Sequence, residues 1–315
     1  MSTLIAFADN DGPQPRKQGY VTSTDGFDLR YAIFRSPVRP NKGSIVLLHG
    51  RNECIEKYLE TVADLMDLGF DVCTFDWRGQ GRSTRFFADH KRGHVDDFGQ
   101  YVADLDQVFT EAFLAESRSP YFIVAHSMGA LVALAAAPVM NNRIDRMVLS
   151  APLLGLSPDW PAPGLLSVLT RGLCFFGLGM VYAGPGPRGF AALELATNRL
   201  TTDPVRFARN QAILDPEKGL GLGAATVGWL RAAIRAIGHV HSHEHMARVH
   251  IPTLMVVAGA DRVVSIGAIE HYARSIRAGT LITITGARHE LMQEADVFRE
   301  QFLAAVEAFL PGSDG

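Results

Sequence analysis

In Tyr121-Phe122-Ile123-Val124-Ala125-His126-Ser127-Met128-Gly129-Ala130 an apolar run passes straight into a serine set between small residues, and an Ala/Leu-rich segment follows at once. This pattern predicts a strand, a sharp turn and a helix. Such a turn is a nucleophile elbow, which projects a serine hydroxyl from the end of a parallel sheet. It presses the residues at 125 and 129 against adjoining backbone, so both must be small. Glycine is usual at both places; here Ala125, the next smallest choice, takes the first. The helix N-terminus beneath the serine presents peptide N–H groups that can meet developing negative charge.

Short apolar runs of the same kind recur at 44–48, 70–75, 146–149, 253–257 and 280–284. With 121–124, they suit strands buried on both faces of a parallel sheet. Residues 19–36 read as two short strands around the turn Asp25-Gly26. Helical spacing alternates with these runs. Ile55, Tyr58, Leu59, Val62, Leu65 and Met66 share one apolar face, with Gly69 as the C-terminal stop. Phe98, Tyr101, Val102, Leu105, Val108 and Phe109 share a second, with Asp96 or Asp97 as N-cap, and Phe298, Phe302, Ala305, Val306 and Phe309 share a third. Strand–helix alternation predicts a doubly wound α/β fold.

The rhythm breaks between about Pro152 and Val240, a stretch rich in Gly and Pro where only 227–237 reads as helix. We read 153–242 as a cap inserted after the strand ending at Leu149, with 1–152 and 243–315 forming the core.

Composition narrows the classes. The chain has 315 residues, 47% of them hydrophobic, and a net charge of −3, so a large globular α/β domain is expected and a nucleic-acid partner is not. Cys54, Cys73 and Cys174 are odd in number and far apart, which points to reduced thiols in a cytoplasmic setting rather than disulfides or a metal site. The N-terminus lacks the basic start and longer apolar run of a secretory signal. Residues 164–184 approach a membrane span in length, but Arg171 and several glycines argue against crossing. An apolar lid that touches a membrane surface transiently is the expectation.

A serine hydroxyl needs a base, usually a histidine oriented by a carboxylate. The partners should follow in the order Ser, Asp/Glu, His, each just beyond a later strand. The run 251–261 is a strand and turn ending in Asp261; 281–289 is a strand and loop ending in His289. Alone, the first is an ordinary turn residue and the second a solvated loop histidine. Together, in the correct order and at strand ends, Ser127, Asp261 and His289 form a candidate catalytic triad. The oxyanion donors are then the N–H of Met128, which follows the serine, and the N–H of Arg51 in Leu48-His49-Gly50-Arg51-Asn52.

His49-Gly50 with Glu53 and Tyr58, the run Phe75-Asp76-Trp77-Arg78-Gly79-Gln80-Gly81-Arg82-Ser83, and Ala125-His126-Ser127-Met128-Gly129 resemble the α/β-hydrolases grouped as monoacylglycerol lipases and lysophospholipases. Arg92-Gly93-His94-Val95 and the stretch from Leu200-Thr201 to Trp229 make the lysophospholipase L2 type the nearest likeness. The likeness runs from about Gly19 to Leu310. It implies the α/β-hydrolase fold, with a mostly parallel eight-stranded sheet flanked by helices and a helical cap after strand 6. It also implies a serine triad, no metal or other cofactor, and hydrolysis through an acyl-enzyme of lipid-like esters with one acyl chain. The alternatives are a carboxylesterase or lactonase for small esters, a peptidase using cap carboxylates such as Glu194 and Asp203, and a scaffold without catalysis.

The remaining features have plainer readings. Asp76, Arg78 and Ser83 suit a hydrogen-bonded turn that supports the site from below. The Arg51 side chain braces its loop, or else holds a phosphate or carboxylate of the substrate. His239, His241, His243 and His245 would share one face only in an extended segment, and we read them as exposed histidines in a connection from cap to core. Gly219, Gly221 and Gly223 follow Asp215-Pro216 rather than a strand, so they do not read as a nucleotide site. Trp160, Phe175, Phe176 and Trp229 either line an acyl-chain tunnel or pack the cap onto the core.

Overall fold

A computed structural model describes residues 4–184, 186, 195, 197–215 and 220–311 of the chain. Its strands are β1 (Lys17–Thr22), β2 (Asp28–Phe34), β3 (Ser44–Leu48), β4 (Asp71–Phe75), β5 (Tyr121–His126), β6 (Arg146–Ser150), β7 (Thr253–Ala258) and β8 (Gly279–Ile284). They form one eight-stranded sheet in the order β1-β2-β4-β3-β5-β6-β7-β8. The hairpin β1–β2 adds antiparallel to β4, and every pair from β4 to β8 is parallel. This is the α/β-hydrolase fold that the resemblance implied.

The central strands are buried because helices cover both faces, which is why they read as continuous apolar runs. One face is covered by α1 (Leu59–Asp67), through Val62 and Leu65, and by α10 (Asp296–Phe309), through Phe302 and Val306. On the other face lie α2 (Phe98–Val108), α4 (Ser127–Met140), α7 (Val227–Val240) and α9 (Ile266–Ser275). Between α2 and β5 the chain makes a π turn and the short α3 (Leu114–Glu116). Asp97, not Asp96, caps α2 by accepting the N–H of Gly99. Gly69, at φ +97°, ends α1 in a conformation that favours glycine.

Helix α4 is apolar on nearly all sides, and the fold explains it: the helix is packed by the sheet, α2 and α7 together. Fully burying a side chain such as Leu131 or Leu134 contributes ~1.5–3 kcal/mol. Parallel register then sets the site. Leu48 pairs with Ala125 and Ala125 with Leu149, so β3, β5 and β6 end at one level.

Between β6 and β7 run α5 (Pro163–Phe175), α6 (Pro204–Ile213), α7 and α8 (His243–Ala247). Among the described residues, no helix is long and apolar enough to cross a membrane. The histidine run differs from its expected form. His239 lies in the last turn of α7, and His243 and His245 belong to α8, so the connection is helical and the expected exposure fails at His245. His245 is buried, its Nε2 2.9 Å from the Leu134 carbonyl oxygen, because α8 tucks against the C-terminal half of α4.

Candidate active site

Strand β5 stops at His126 and α4 begins at Ser127, whose φ is +50°. A non-glycine residue held there costs ~1–3 kcal/mol, which the packing of α4 on the sheet sustains. The smallness of position 129 has a direct cause: a Cβ on Gly129 would lie 2.5 Å from the carbonyl oxygen of His49 and 2.7 Å from that of Leu48.

The structure brings Ser127, Asp261 and His289 together from the ends of β5, β7 and β8. Ser127 Oγ lies 3.0 Å from His289 Nε2, and His289 Nδ1 lies 2.7 Å from Asp261 Oδ2. The other Asp261 oxygen accepts the N–H groups of Val263 at 2.7 Å and Val264 at 3.1 Å, so the carboxylate is fixed at both ends. Burial works against the charged form of each partner, but their mutual attraction prevails. Asp261 is held below the usual carboxylate range, and the His289 imidazolium is favoured above the usual histidine value. With Nδ1–H directed at Asp261, Nε2 is left to accept a proton from Ser127.

Of the expected oxyanion donors, Met128 directly follows the serine and Arg51 directly follows Gly50. Met128 lies in the first turn of α4, where N–H groups have no acceptor within the helix. Gly50 abuts the serine: a Cβ there would fall 3.3 Å from Ser127 Cβ. The Gly50 N–H donates to Glu53, which also accepts from Tyr58 Oη at 2.8 Å and from Lys57 Nζ at 2.6 Å. Lys57 reaches Glu290, the residue after His289, at 2.7 Å. Trp77 Nε1 donates to the His49 carbonyl at 2.9 Å. Gln80 joins the two sides of the site: its Oε1 accepts the Asn52 N–H at 2.7 Å and its Nε2 lies 3.7 Å from Met128 Sδ.

Lys57, Gln80 and Glu290 were not singled out in the sequence. Gln80 had a signal, since it sits between Gly79 and Gly81, both at positive φ, in a tight turn after a strand. Lys57 and Glu290 had none. Asp76, Arg78 and Ser83 do form a bonded turn below the loop. Asp76 accepts from Arg30 Nε at 2.8 Å, Ile55 N at 3.0 Å and Arg82 N at 2.8 Å; Ser83 Oγ donates to the Asp76 carbonyl at 2.6 Å, and Arg78 pairs with Asp104 and Asp25. Burial opposes the Asp76 charge, but the Arg30 guanidinium outweighs it and holds the carboxyl at about 2.

Trp229 is buried against Phe98, with ring centroids 5.7 Å apart, so it packs α7 onto the core. Phe175 and Phe176 are 84% and 76% exposed, and therefore do not line an enclosed tunnel. Among the described residues no group of three or more His, Cys, Asp or Glu is placed to hold a metal ion. Glu194 and Gly219 lie outside the described residues.

Residues 39–296 match the family model described as serine aminopeptidase, S33. Lysophospholipase L2 of Escherichia coli (strain K12) is 30% identical over 301 residues, covering 93% of this chain and 87% of that protein. The probable lysophospholipase L2 of Haemophilus influenzae is 27% identical, covering 92% and 91%. Among solved structures, the monoacylglycerol lipase of Paleococcus ferrophilus is similar with a TM-score of 0.68 at 25% identity, covering 90% of this chain and 98% of that one. A soluble variant of the Saccharomyces cerevisiae monoglyceride lipase, in complex with a substrate analog, has a TM-score of 0.74 at 19% identity over 98% of both chains, a likeness of fold.

Proposed function

The chain belongs to the serine aminopeptidase S33 family of hydrolases, and within it we propose that this protein is a serine carboxylester hydrolase for lipid-like esters with one acyl chain, of the monoacylglycerol or lysophospholipid type. The observation that carries the reading is the unbroken hydrogen-bond chain from Ser127 through His289 to Asp261. His289 Nε2 takes the hydroxyl proton as Ser127 Oγ attacks the ester carbonyl. The N–H groups of Met128 and Arg51 receive the oxyanion, and collapse of the tetrahedral intermediate expels the alcohol, protonated by His289. Water, losing a proton to His289, then attacks the acyl-serine and releases the fatty acid. No cofactor enters these steps.

The lipid-like preference is supported by the names of the relatives and by the apolar surface of the described residues within 153–242, a segment we read as a cap. Leu165, Val168, Leu169, Phe175 and Phe176 on and after α5 are exposed, and suit transient contact with a membrane surface. The three cysteines are free, in keeping with a reducing, cytoplasmic setting.

A peptidase reading follows from the family's description, and it requires a carboxylate to hold the substrate ammonium. Asp203 is committed elsewhere: it caps α6 and pairs with Arg206. Glu60 is likewise taken by Arg206 and Arg209. Glu194 lies outside the described residues, and the ester reading is preferred on the names of the relatives.

Hydrolysis of lysophosphatidylcholine, monoacylglycerol and a chain-length series of p-nitrophenyl esters tests it, with Ser127→Ala as control. Rates should rise with chain length until the acyl site is full, since each buried methylene contributes ~0.8 kcal/mol. Preference for acetyl alone removes the lipid reading. Release of N-terminal amino acids from peptides, without ester turnover, transfers the protein to the peptidases. A folded protein that a fluorophosphonate does not label is a scaffold.

A further inference from the structure

We infer that the Arg51 side chain selects the headgroup, holding the phosphodiester of a lysophospholipid and favouring that ester over an uncharged monoacylglycerol. The inference rests on the ester-hydrolase reading and deepens it.

Several buried guanidinium groups among the described residues have carboxylate partners. Arg30 meets Glu56 at 2.7 Å, Arg78 meets Asp104 at 2.5 Å, Arg206 meets Glu60 at 2.6 Å and Arg299 pairs with Asp64. Arg51 meets no carboxylate among the described residues. Its guanidinium carbon lies 5.2 Å from the centre of the Trp229 ring, and Nη2 donates to the Gly223 carbonyl at 3.0 Å. Its Nε is buried and has no hydrogen-bond partner among the described residues. Burial holds the group down to about 10, so it remains protonated at neutral pH. A charge fixed over an aromatic platform with donors to spare is costly unless an anion completes it.

Its place in the chain says which anion. Arg51 follows Gly50, which abuts Ser127, and its own backbone N–H is the proposed oxyanion donor. The side chain therefore starts beside the reacting carbonyl and extends toward Trp229 and Gly223. In a glycerol lysophospholipid the three-carbon backbone joins the acyl ester to the phosphate, so the anion lies on the alcohol side of the reacting carbonyl, within the same small headgroup. A guanidinium matches phosphate oxygens in geometry as well as charge, whereas glycerol hydroxyls gain little from it. The Gly223 contact holds the head in position without using its remaining donors.

The test compares kcat/KM for lysophosphatidylcholine and monoacylglycerol of the same acyl chain in wild type, Arg51→Lys and Arg51→Met. The ratio of the two constants should fall at least tenfold in Arg51→Met, mainly through KM for the phospholipid, with Arg51→Lys in between. Glycerophosphocholine should compete with monoacylglycerol in the wild type, while glycerol and a free fatty acid of matched concentration should compete less. The glycerophosphocholine measurement needs no variant, so it stands even if Arg51→Met does not fold. An unchanged ratio, an equal fall on both esters, or inhibition by fatty acid but not by glycerophosphocholine overturns the inference while leaving the ester hydrolase intact. A wild type that cleaves neither ester overturns the functional reading, and this one with it.

Discussion

The imidazole rings of His126 and His289 lie 4.7 Å apart, centroid to centroid, and are driven in opposite directions on the pH scale. Burial pushes His126 down to about 3, and the nearby Glu53 does not compensate. Burial opposes the charge on His289 as well, but the Asp261 carboxylate reverses it and favours the imidazolium. Two adjacent rings thus differ in setting: His126 stays neutral in its packing, and His289 is the ring placed to exchange a proton with Ser127.

The pH profile follows from this pair. His289 must be neutral to accept the Ser127 proton, and its raised value extends the protonated form upward. Ester kcat/KM should therefore increase with pH through a single apparent pKa above the ordinary histidine value of 6.5. Asp261→Asn should lower that apparent pKa and reduce kcat by about 10⁴. Paired pH–rate profiles measure both effects; a wild-type pKa below the ordinary value would contradict the account.

Gln80→Leu should lower kcat by about 10² with little change in KM. The Gln80 amide links Asn52 to Met128 and so sets the spacing of the two proposed oxyanion donors, where a displacement of about 1 Å is enough for a loss of that size. Steady-state kinetics on a soluble ester, with circular dichroism to establish folding, decides it.

Gly129→Ala should destabilise the fold by ~1–3 kcal/mol, because the added methyl meets two main-chain carbonyls and not a side chain that could turn aside. Urea denaturation measures the loss. A variant as stable as the wild type would mean that β3 and α4 separate more readily than their packing indicates.

Arg30→Met leaves the buried Asp76 and Glu56 carboxylates without their cation, and should cost ~3–5 kcal/mol. The acid response carries a sign. Asp76 is depressed from 3.8 to about 2, so its contribution to stability is complete above the ordinary carboxylate value and is lost as pH falls through about 2. Removing Arg30 raises the Asp76 value, and acid unfolding should then begin at higher pH. Fluorescence-detected acid titration of both proteins reads the shift.

Replacing Phe175 and Phe176 by serine should reduce the fraction of protein that sediments with phospholipid vesicles, since both side chains are exposed to solvent. Equal sedimentation of variant and wild type would remove α5 from the membrane-facing surface.

Much of the site was legible in the chain because its three principal residues carry local signals. Ser127 stands at a strand-to-helix turn, and Asp261 and His289 end turns that leave later strands. Parallel strands in one sheet bring all such turns to the same edge, so alternating strands and helices were enough to predict their convergence. Other groups lacked a local signal. Lys57 and Glu290 are 233 residues apart in sequence, and neither periodicity nor a turn pattern marks them as partners. The same holds for the burial of His245 against α4 and for the outward direction of Phe175 and Phe176.

Local patterning of apolar residues and turn formers was therefore sufficient for the sheet, its direction and the edge where the reactive groups meet, because these depend on short-range backbone preference and on burial of both faces. It could not say which charges surround that edge, that the Arg51 guanidinium would lie over Trp229, or which aromatic would face water. Those outcomes depend on how separate layers pack against one another. Packing brings together side chains whose positions along the chain hold no information about their distance in space.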